Sequence, residues 1–172
     1  MTETATIRFA SALDLGGLGA LINGAYRGES AKRGWTHEAD LLAGYGNRID
    51  AAELAATIAD ARARLLVAVD GPDIVGCILV RDLGDRLGYF GLLAIAPELQ
   101  ASGLAKRLLA AAEDCARDVF GSTRVEGTVV HLRAELIAYY ERRGFTRSGE
   151  RRPFPIDVTP PLELVVMTKS LA

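Results

Sequence analysis

The hydrophobic positions of this chain follow two different periods, which alternate along its length. Short apolar runs typical of strands lie at residues 4–9, 65–69, 74–80, 87–96, 125–130, 145–151 and 162–168. Apolar residues at helical spacing predict one helix that begins at Ser11 and others at residues 36–42, 50–61, 103–119 and 133–142. Because no repeat, low-complexity tract or linker separates these elements, the pattern predicts a single mixed α/β domain over residues 1–172.

Two helices are expected to bury one apolar stripe each. The stripe of the helix that begins at Ser11 consists of Leu13, Leu18, Leu21 and Ile22. The stripe of the helix at residues 103–119 consists of Leu104, Leu108, Ala111, Cys115 and Val119. Between these helices, the turn Asp70-Gly71-Pro72-Asp73 joins two apolar runs, which predicts an antiparallel hairpin.

Composition excludes several classes of protein. Hydrophobic residues make up 49% of the 172 residues and charged residues 24%, which is ordinary globular usage. Twenty basic and 22 acidic side chains give a net charge of −2, so no overall field attracts nucleic acid or an anionic membrane. We expect neither partner. No stretch resembles a secretory leader or a membrane span, and Cys77 and Cys115 lie in apolar runs, so we expect a cytoplasmic protein with buried thiols.

The histidines offer no metal site. His37 and His131 are the two histidines, and neither lies near a second histidine or a cysteine pair. That spacing matches no zinc motif, so we expect no metal.

The segment from Tyr89 to Leu109 carries the most informative chemistry. A strand ends before Pro97, a short polar loop carries Gly103, and a long helix follows. The unpaired backbone N–H groups and the positive dipole end of such a helix start form an anion site. Because Gly103 and Ala105 lack large side chains, a diphosphate could approach the backbone there. The segment lacks the Gly-Lys-Ser/Thr ending of a nucleotide-binding P-loop.

A second segment, residues 129–145, leads from a strand into a short helix. That helix carries Tyr139 and Tyr140 and ends near Gly144, where a left-handed cap costs glycine least. By itself this is an ordinary helix and turn. The order and spacing of the two segments together are more specific.

These two segments resemble the GNAT superfamily of N-acetyltransferases. Gln100-Ala101-Ser102-Gly103-Leu104-Ala105 matches the family's Gln/Arg-x-x-Gly-x-Gly/Ala loop, which binds the pyrophosphate of acetyl-CoA. Ile95-Ala96-Pro97 matches the Val-x-Pro that precedes it, and Tyr140-Glu141-Arg142-Arg143-Gly144-Phe145 is similar to the downstream Tyr-Glu-x-x-Gly-Phe. The order of the elements also fits over nearly the whole chain.

The resemblance implies a fold and a coenzyme site. The fold would be an α/β domain of the α+β kind, with a mostly antiparallel central sheet of about seven strands flanked by helices on both faces. The fourth strand would separate from the fifth, so that the pantetheine arm of acetyl-CoA pairs with exposed backbone between them. The implied contacts with the coenzyme are Leu93, Ala94, Ile95, Gln100, Ala101, Ser102, Gly103, Leu104, Ala105, Lys106 and Arg133.

The implied reaction is transfer of an acetyl group to a primary amine by direct attack in a ternary complex. Tyr140 would donate a hydrogen bond or a proton to the departing thiolate. The amine must first lose a proton, since an alkylammonium is only about one part in 10³ to 10⁴ neutral at pH 7. Candidates for that base are His131, Glu126 and Tyr89, or an ordered water chain. Two positions depart from the family pattern: Arg133 stands where Asn is frequent, and Tyr89 stands where some members carry a base glutamate.

The acceptor is open at this stage. Six acidic residues, Glu29, Glu38, Asp40, Asp50, Glu53 and Asp60, could line a site for a cationic small molecule or form an ordinary solvated face. Trp35 and Tyr45 could form an aromatic wall, and the arginines of residues 133–152 could meet the coenzyme's ribose phosphate. Alternatives are acetylation of a protein and a noncatalytic acyl-CoA sensor. A homodimer through an exposed edge strand is also possible.

Overall fold

The computed structural model of the chain describes residues 5–26 and 48–171. The strands are β1 (Thr6–Phe9), β2 (Ala63–Asp70), β3 (Asp73–Asp82), β4 (Leu87–Ile95), β5 (Arg124–Val130), β6 (Thr146–Pro153) and β7 (Glu163–Ser170). The helices are α1 (Leu15–Tyr26), α2 (Ala51–Ala59), α3 (Leu104–Asp118) and α4 (Ala134–Arg142). The helix predicted at residues 36–42 lies outside the described residues. The other predicted elements are present within a few residues of their expected bounds.

The seven strands form one sheet in the order β1-β2-β3-β4-β5-β7-β6. The predicted hairpin is confirmed, since β2 and β3 are antiparallel and the turn between them is Gly71-Pro72. The β4–β5 pair is parallel, and the other neighbouring strands are antiparallel. The sequence-based expectation of a mixed, mostly antiparallel sheet of about seven strands is therefore confirmed.

Helices cover both faces of the sheet because the strands alternate their side chains between two cores. On β2, Leu65 and Val67 face the layer of α1 and α2, while Leu66 and Ala68 face the layer of α3 and α4. Both layers contain fully buried aliphatic side chains, such as Leu18 of α1 and Leu108 of α3. No described helix has the length and hydropathy that a membrane span would need.

The predicted stripe of the first helix is wrong at one position. Ser11 caps a short 3₁₀ turn, Ala12–Asp14, before α1 begins, and this turn changes the helical period. Leu13 is consequently 95% exposed, and Asp14 takes the buried position. The hydrogen bonds that Arg8 donates hold the pKa of Asp14 at about 2, well below its usual range. Asp14 thereby ties β1 to the start of α1.

The predicted stripe of the long helix is wrong at its last position only. Val119 follows the final helical residue, Asp118, and is 44% exposed. Leu104, Leu108 and Cys115 are buried as expected, and both cysteines of the chain are free thiols.

Candidate active site

The parallel pairing of β4 and β5 stops halfway along both strands. The last paired residues are Phe90 and Gly127, although β4 continues to Ile95 and β5 to Val130. A β-bulge lies just beyond the last pair: the register of β4 against β3 shifts so that Leu92 and Leu93 together lie opposite Ile78. Leu92 has a φ of 50°, a left-handed conformation that costs a branched residue energy. The bulge turns β4 away from β5 and opens a gap in the sheet.

Side chains satisfy the two carbonyl groups of this bulge. The hydroxyl of Tyr26, the last residue of α1, donates to the carbonyl of Leu93 at 2.6 Å. The Cys77 thiol donates to the carbonyl of Leu92 at 3.3 Å. Burial raises the pKa of Cys77 to about 12, so this group stays protonated and remains a donor. Two side-chain hydrogen bonds, one from α1 and one from β3, thus hold the bulge in place.

The loop that follows β4 presents unpaired backbone donors. After the 3₁₀ turn Pro97–Leu99, Ala101 has a φ of 64° and Gly103 a φ of 90°. Among the described residues, the first N–H of α3 with a backbone partner is that of Arg107, which donates to the carbonyl of Gly103 at 3.2 Å. The N–H groups of Leu104, Ala105 and Lys106 have no backbone partner in the described part of the chain and lie at the positive end of the helix dipole. A helix start of this kind can bind an anion, as the sequence predicts, and that role stays a prediction.

Gly103 is needed for its backbone conformation. Its positive φ lies where L side chains are strained, and a Cβ built there would meet no atom within 4 Å. Open space beside a helix N-terminus is the condition under which a diphosphate can reach the backbone.

A cavity of about 480 Å³, here called the loop cavity, extends from this loop to α4. It brings together nine of the predicted coenzyme contacts: Leu93, Ala94, Ile95, Gln100, Ala101, Gly103, Ala105, Lys106 and Arg133. Two predicted contacts do not line it. Leu104 is 1% exposed and its side chain packs in the α3 core, and Ser102 donates its hydroxyl to the carbonyl of Leu99.

Basic side chains dominate the outer wall of the loop cavity. Its described lining includes four basic side chains, Lys106, Arg133, Arg142 and Arg143, and one acidic side chain, Glu135. The Arg143 guanidinium lies 4.9 Å from the ring centroid of Tyr139, and its buried Nε has no hydrogen-bond partner within the described ranges. Such an atom is costly unless a ligand satisfies it.

The remaining arginines of the predicted cluster serve other contacts. Arg147 pairs with Glu141 at 3.0 Å, and Arg152 pairs with Glu126 and with Glu150 at 2.9 Å each. Of the six arginines in residues 133–152, those that line the loop cavity are Arg133, Arg142 and Arg143.

A second cavity of about 470 Å³, here called the sheet cavity, lies on the other side of the gap between β4 and β5. The two cavities share the wall residues Tyr26, Leu93, Arg133, Leu136 and Tyr140. A ligand in one cavity would therefore meet a ligand in the other beside these side chains.

Tyr140 is the best-placed candidate acid at this junction. Its ring is held edge-on between Tyr139 and Phe145, with centroid distances of 5.7 and 5.5 Å. Desolvation by the surrounding protein raises the pKa of its phenol above the ordinary value, although the nearby charge of Arg133 acts in the opposite direction. The phenol is thus fully protonated at neutral pH and is a hydrogen-bond donor.

The three candidate bases lie in different environments. Tyr89 lines the sheet cavity, with its hydroxyl 3.3 Å from Oγ1 of Thr128. His131 lines neither cavity, and its Nδ1 accepts the N–H of Glu163 at 3.1 Å, which holds β5 against β7. Glu126 also lies outside both cavities, and its carboxylate accepts two hydrogen bonds from Arg152, at 2.9 and 3.3 Å. Of the three candidates, the structure therefore places Tyr89 in the cavity that Tyr140 also lines, and not His131 or Glu126.

The acidic cluster lies only partly within the described chain. Glu29, Glu38 and Asp40, the aromatic pair Trp35 and Tyr45, and His37 lie outside the described residues. Glu53 lines the sheet cavity, whereas Asp50 caps α2 and Asp60 pairs with Arg81 at 2.6 Å. In the described ranges, no group of three or more His, Cys, Asp or Glu side chains could hold a metal ion.

Sequence reasoning missed two residues at the junction, Tyr26 and Leu136, and one beside it, Arg48. Tyr26 reaches Leu93 across 67 positions of sequence, and Arg48 stacks on the Tyr26 ring, 5.6 Å from its centroid. No local spacing signals a contact of this range. Leu136 could have been found, because it lies four residues before Tyr140 on the same helix face.

Comparison with known proteins agrees with this geometry. The model of the Acetyltransferase (GNAT) family matches residues 31–145, and no curated protein sequence matches. The ribosomal-protein-S18-alanine N-acetyltransferase from Escherichia coli has a similar structure, with a TM-score of 0.73, 16% identity, and coverage of 98% of this chain and 94% of that chain. The yncA protein of Salmonella typhimurium, solved with its cofactor acetyl-CoA, has a TM-score of 0.73, 21% identity and the same coverages, 98% and 94%.

The spermidine/spermine N-acetyltransferase SpeG from Vibrio cholerae, solved in complex with manganese ions, has a TM-score of 0.70 and 20% identity, and covers 99% of this chain and 94% of that chain. Identities this low establish the shared fold. The family match spans most of the chain and includes both motif segments, so this chain belongs to the GNAT family of acetyltransferases.

Proposed function

We propose that this protein transfers the acetyl group of acetyl-CoA to a primary amine of a small molecule, by direct attack in a ternary complex. The observation that carries the proposal is the meeting of two cavities at Leu93 and Tyr140, in the gap between β4 and β5. The loop cavity takes the coenzyme and the sheet cavity takes the amine. A noncatalytic sensor of acyl-CoA would need the first cavity but not the second.

The loop cavity suits coenzyme A at both of its ends. The N–H groups at the start of α3 bind the diphosphate, while Lys106, Arg142 and Arg143 meet the remaining phosphate. The backbone of Leu93 to Ile95 does not pair with β5. The amide-rich pantetheine arm can therefore form hydrogen bonds with it, as an added strand would. Acetyl-CoA supplies an activated acyl group, a thioester, at the junction.

Chemistry at the junction requires stabilisation of two developing charges. The amine nitrogen forms a bond to the thioester carbon, and negative charge moves first to the carbonyl oxygen and then to the departing sulfur. A backbone N–H of the bulge stabilises the oxygen. Tyr140 stabilises the sulfur by donating a hydrogen bond. Because burial raises the pKa of Tyr140 further above that of a thiol, hydrogen bonding is favoured over full proton transfer.

The amine also has to lose two protons: one leaves the ammonium before the attack, and the other leaves the nitrogen after the C–N bond forms and protonates the departing thiolate. Tyr89 remains the candidate for relaying the first proton, together with water in the sheet cavity, because its hydroxyl lies on the wall of that cavity. Glu53 is the carboxylate on the described part of the same wall and can accept the proton at the end of the relay. His131 and Glu126 do not enter this scheme.

Acetyl transfer is tested first with a panel of amines. Purified protein, acetyl-CoA and each amine are incubated, and free thiol and N-acetyl product are measured together. We expect equal amounts of thiol and N-acetylated amine for at least one small amine. Binding of coenzyme A without product from any amine would favour the sensor function instead.

The anion site is tested by Gly103→Ala. The added Cβ strains the left-handed residue by about 1–2 kcal/mol and fills the space in front of the unpaired N–H groups. We expect the affinity for coenzyme A in calorimetry to fall at least tenfold, about 1.4 kcal/mol. Gly149→Ala is the matched control: Gly149 has a φ of 87°, equally open surroundings and a place on β6. Equal losses of affinity in both variants would show that backbone strain, and not the site, is responsible.

The role of Tyr140 is tested by Tyr140→Phe. Loss of a hydrogen bond to a charged group, worth about 1.5–3 kcal/mol, is expected to lower kcat by about 10- to 100-fold. The KM for acetyl-CoA should change little, because the interaction forms as the thiolate departs. Tyr139→Phe alters the loop cavity alone and is expected to affect KM rather than kcat. Wild-type kcat in Tyr140→Phe would remove this tyrosine from the mechanism.

A further inference from the structure

The described wall of the sheet cavity carries more positive than negative charge. Its ionised side chains are Arg48, Arg133 and Glu53. One oxygen of Glu53 accepts the N–H of Asp50 at the start of α2, at 3.3 Å. On this described wall, a purely cationic acceptor such as a polyamine would meet two guanidinium groups and one carboxylate that already accepts a hydrogen bond.

Arg48 has no acidic partner in the described ranges. Its contact there is with the face of Tyr26, 5.6 Å from the ring centroid, and the residue is half-buried. Elsewhere in the molecule, Arg81 and Arg152 pair with carboxylates at 2.6 and 2.9 Å. A guanidinium stacked on an aromatic ring keeps its planar edge of donors free and already oriented, which suits two-point binding of a carboxylate.

The position of Arg48 limits where such a carboxylate lies on the acceptor. The ring on which Arg48 stacks belongs to the residue that holds the Leu93 carbonyl, at 2.6 Å. Arg48 is thus one aromatic ring away from the junction of the two cavities. A carboxylate bound by Arg48 would have to be attached close to the reacting nitrogen, as it is in an α-amino acid.

Arg133 is the weaker candidate for this contact. Its charge acts on the phenol of Tyr140, whose pKa it lowers against the effect of burial, and its side chain also lines the loop cavity. Arg133 thus belongs to the region where charge develops on the sulfur, which leaves Arg48 for the acceptor.

The opposite end of the sheet cavity is apolar. Phe154, Ile156 and Leu164 line it. Leu164 belongs to β7, and Phe154 and Ile156 lie in the segment between β6 and β7. A hydrocarbon or aromatic group would be buried there, whereas a second ammonium group would lose its hydration without a partner.

We propose that the acceptor is an α-amino acid with an apolar side chain, or an amine of the same chemistry, and that Arg48 determines specificity by binding its carboxylate. This inference rests on the proposed acetyl transfer, and it adds the substrate class. The apolar side chain occupies the end formed by Phe154, Ile156 and Leu164, and the amine faces the junction at Leu93.

The test uses three acceptors that differ at one group: L-phenylalanine, L-phenylalaninamide and 2-phenylethylamine. We expect kcat/KM for the carboxylate to exceed that for the other two by about 10- to 100-fold, the effect of a charged hydrogen-bonded pair. In Arg48→Gln this preference should disappear, mainly because the KM for L-phenylalanine rises. Arg48→Lys should retain part of the preference. Arg64→Gln is the matched control, because Arg64 also stacks on an aromatic ring, Phe120, at 5.6 Å but lines neither cavity.

Binding of the inert products separates recognition from turnover. Calorimetry compares N-acetyl-L-phenylalanine with N-acetyl-2-phenylethylamine on the coenzyme-A-loaded protein, in the wild type and in Arg48→Gln. If the carboxylate product binds more tightly and this difference depends on Arg48, the inference is supported, whether or not any acceptor is turned over. Absence of turnover would contradict the proposed function alone. Turnover of amines with no preference for the carboxylate in either assay would overturn the inference and leave acetyl transfer intact.

Discussion

The separation of β4 from β5 is the constraint on which the rest of this structure depends. A sheet interior does not tolerate unpaired backbone groups, and separating two central strands leaves several of them without partners. Here the break begins at a β-bulge at Leu92 and Leu93, which is held by hydrogen bonds from Tyr26 and Cys77. The remaining backbone groups are available to a ligand. The same feature that would weaken an ordinary sheet therefore opens the gap in which we propose that the coenzyme binds.

The position of α3 follows from this break. Because β4 ends in the gap, the loop after it directs the N-terminus of α3 toward the same space, with Gly103 in the left-handed conformation that the turn requires. In the proposed complex the backbone supplies both kinds of recognition, a strand edge for an extended amide chain and a helix terminus for phosphate. Side chains modify this arrangement: basic residues line the outer wall, and Tyr140 lies where the two cavities meet.

The elements and the family could be predicted from the sequence because both depend on local pattern. Periodicity located the strands, and the spacing from Gln100 to Ala105 located the loop. The prediction from periodicity was wrong at Leu13, where a 3₁₀ turn changes the helical period. The sequence also could not show which of His131, Glu126 and Tyr89 is best placed to act as the base, because their surroundings come from distant parts of the chain. Arg152 engages Glu126 across 26 positions, and Glu163 engages His131 across 32. The wall of the sheet cavity, including Arg48, is likewise formed by tertiary contacts that no sequence motif indicates.

We propose that the backbone at the gap and at the start of α3 binds coenzyme A. Amide resonances in ¹⁵N–¹H NMR, followed during titration with coenzyme A, test it most directly. Binding as described here predicts the largest shifts at Leu93, Ile95, Gly103 and Ala105, with Gly149 unchanged. Saturable binding that leaves those four amides unperturbed and shifts others would contradict the claim.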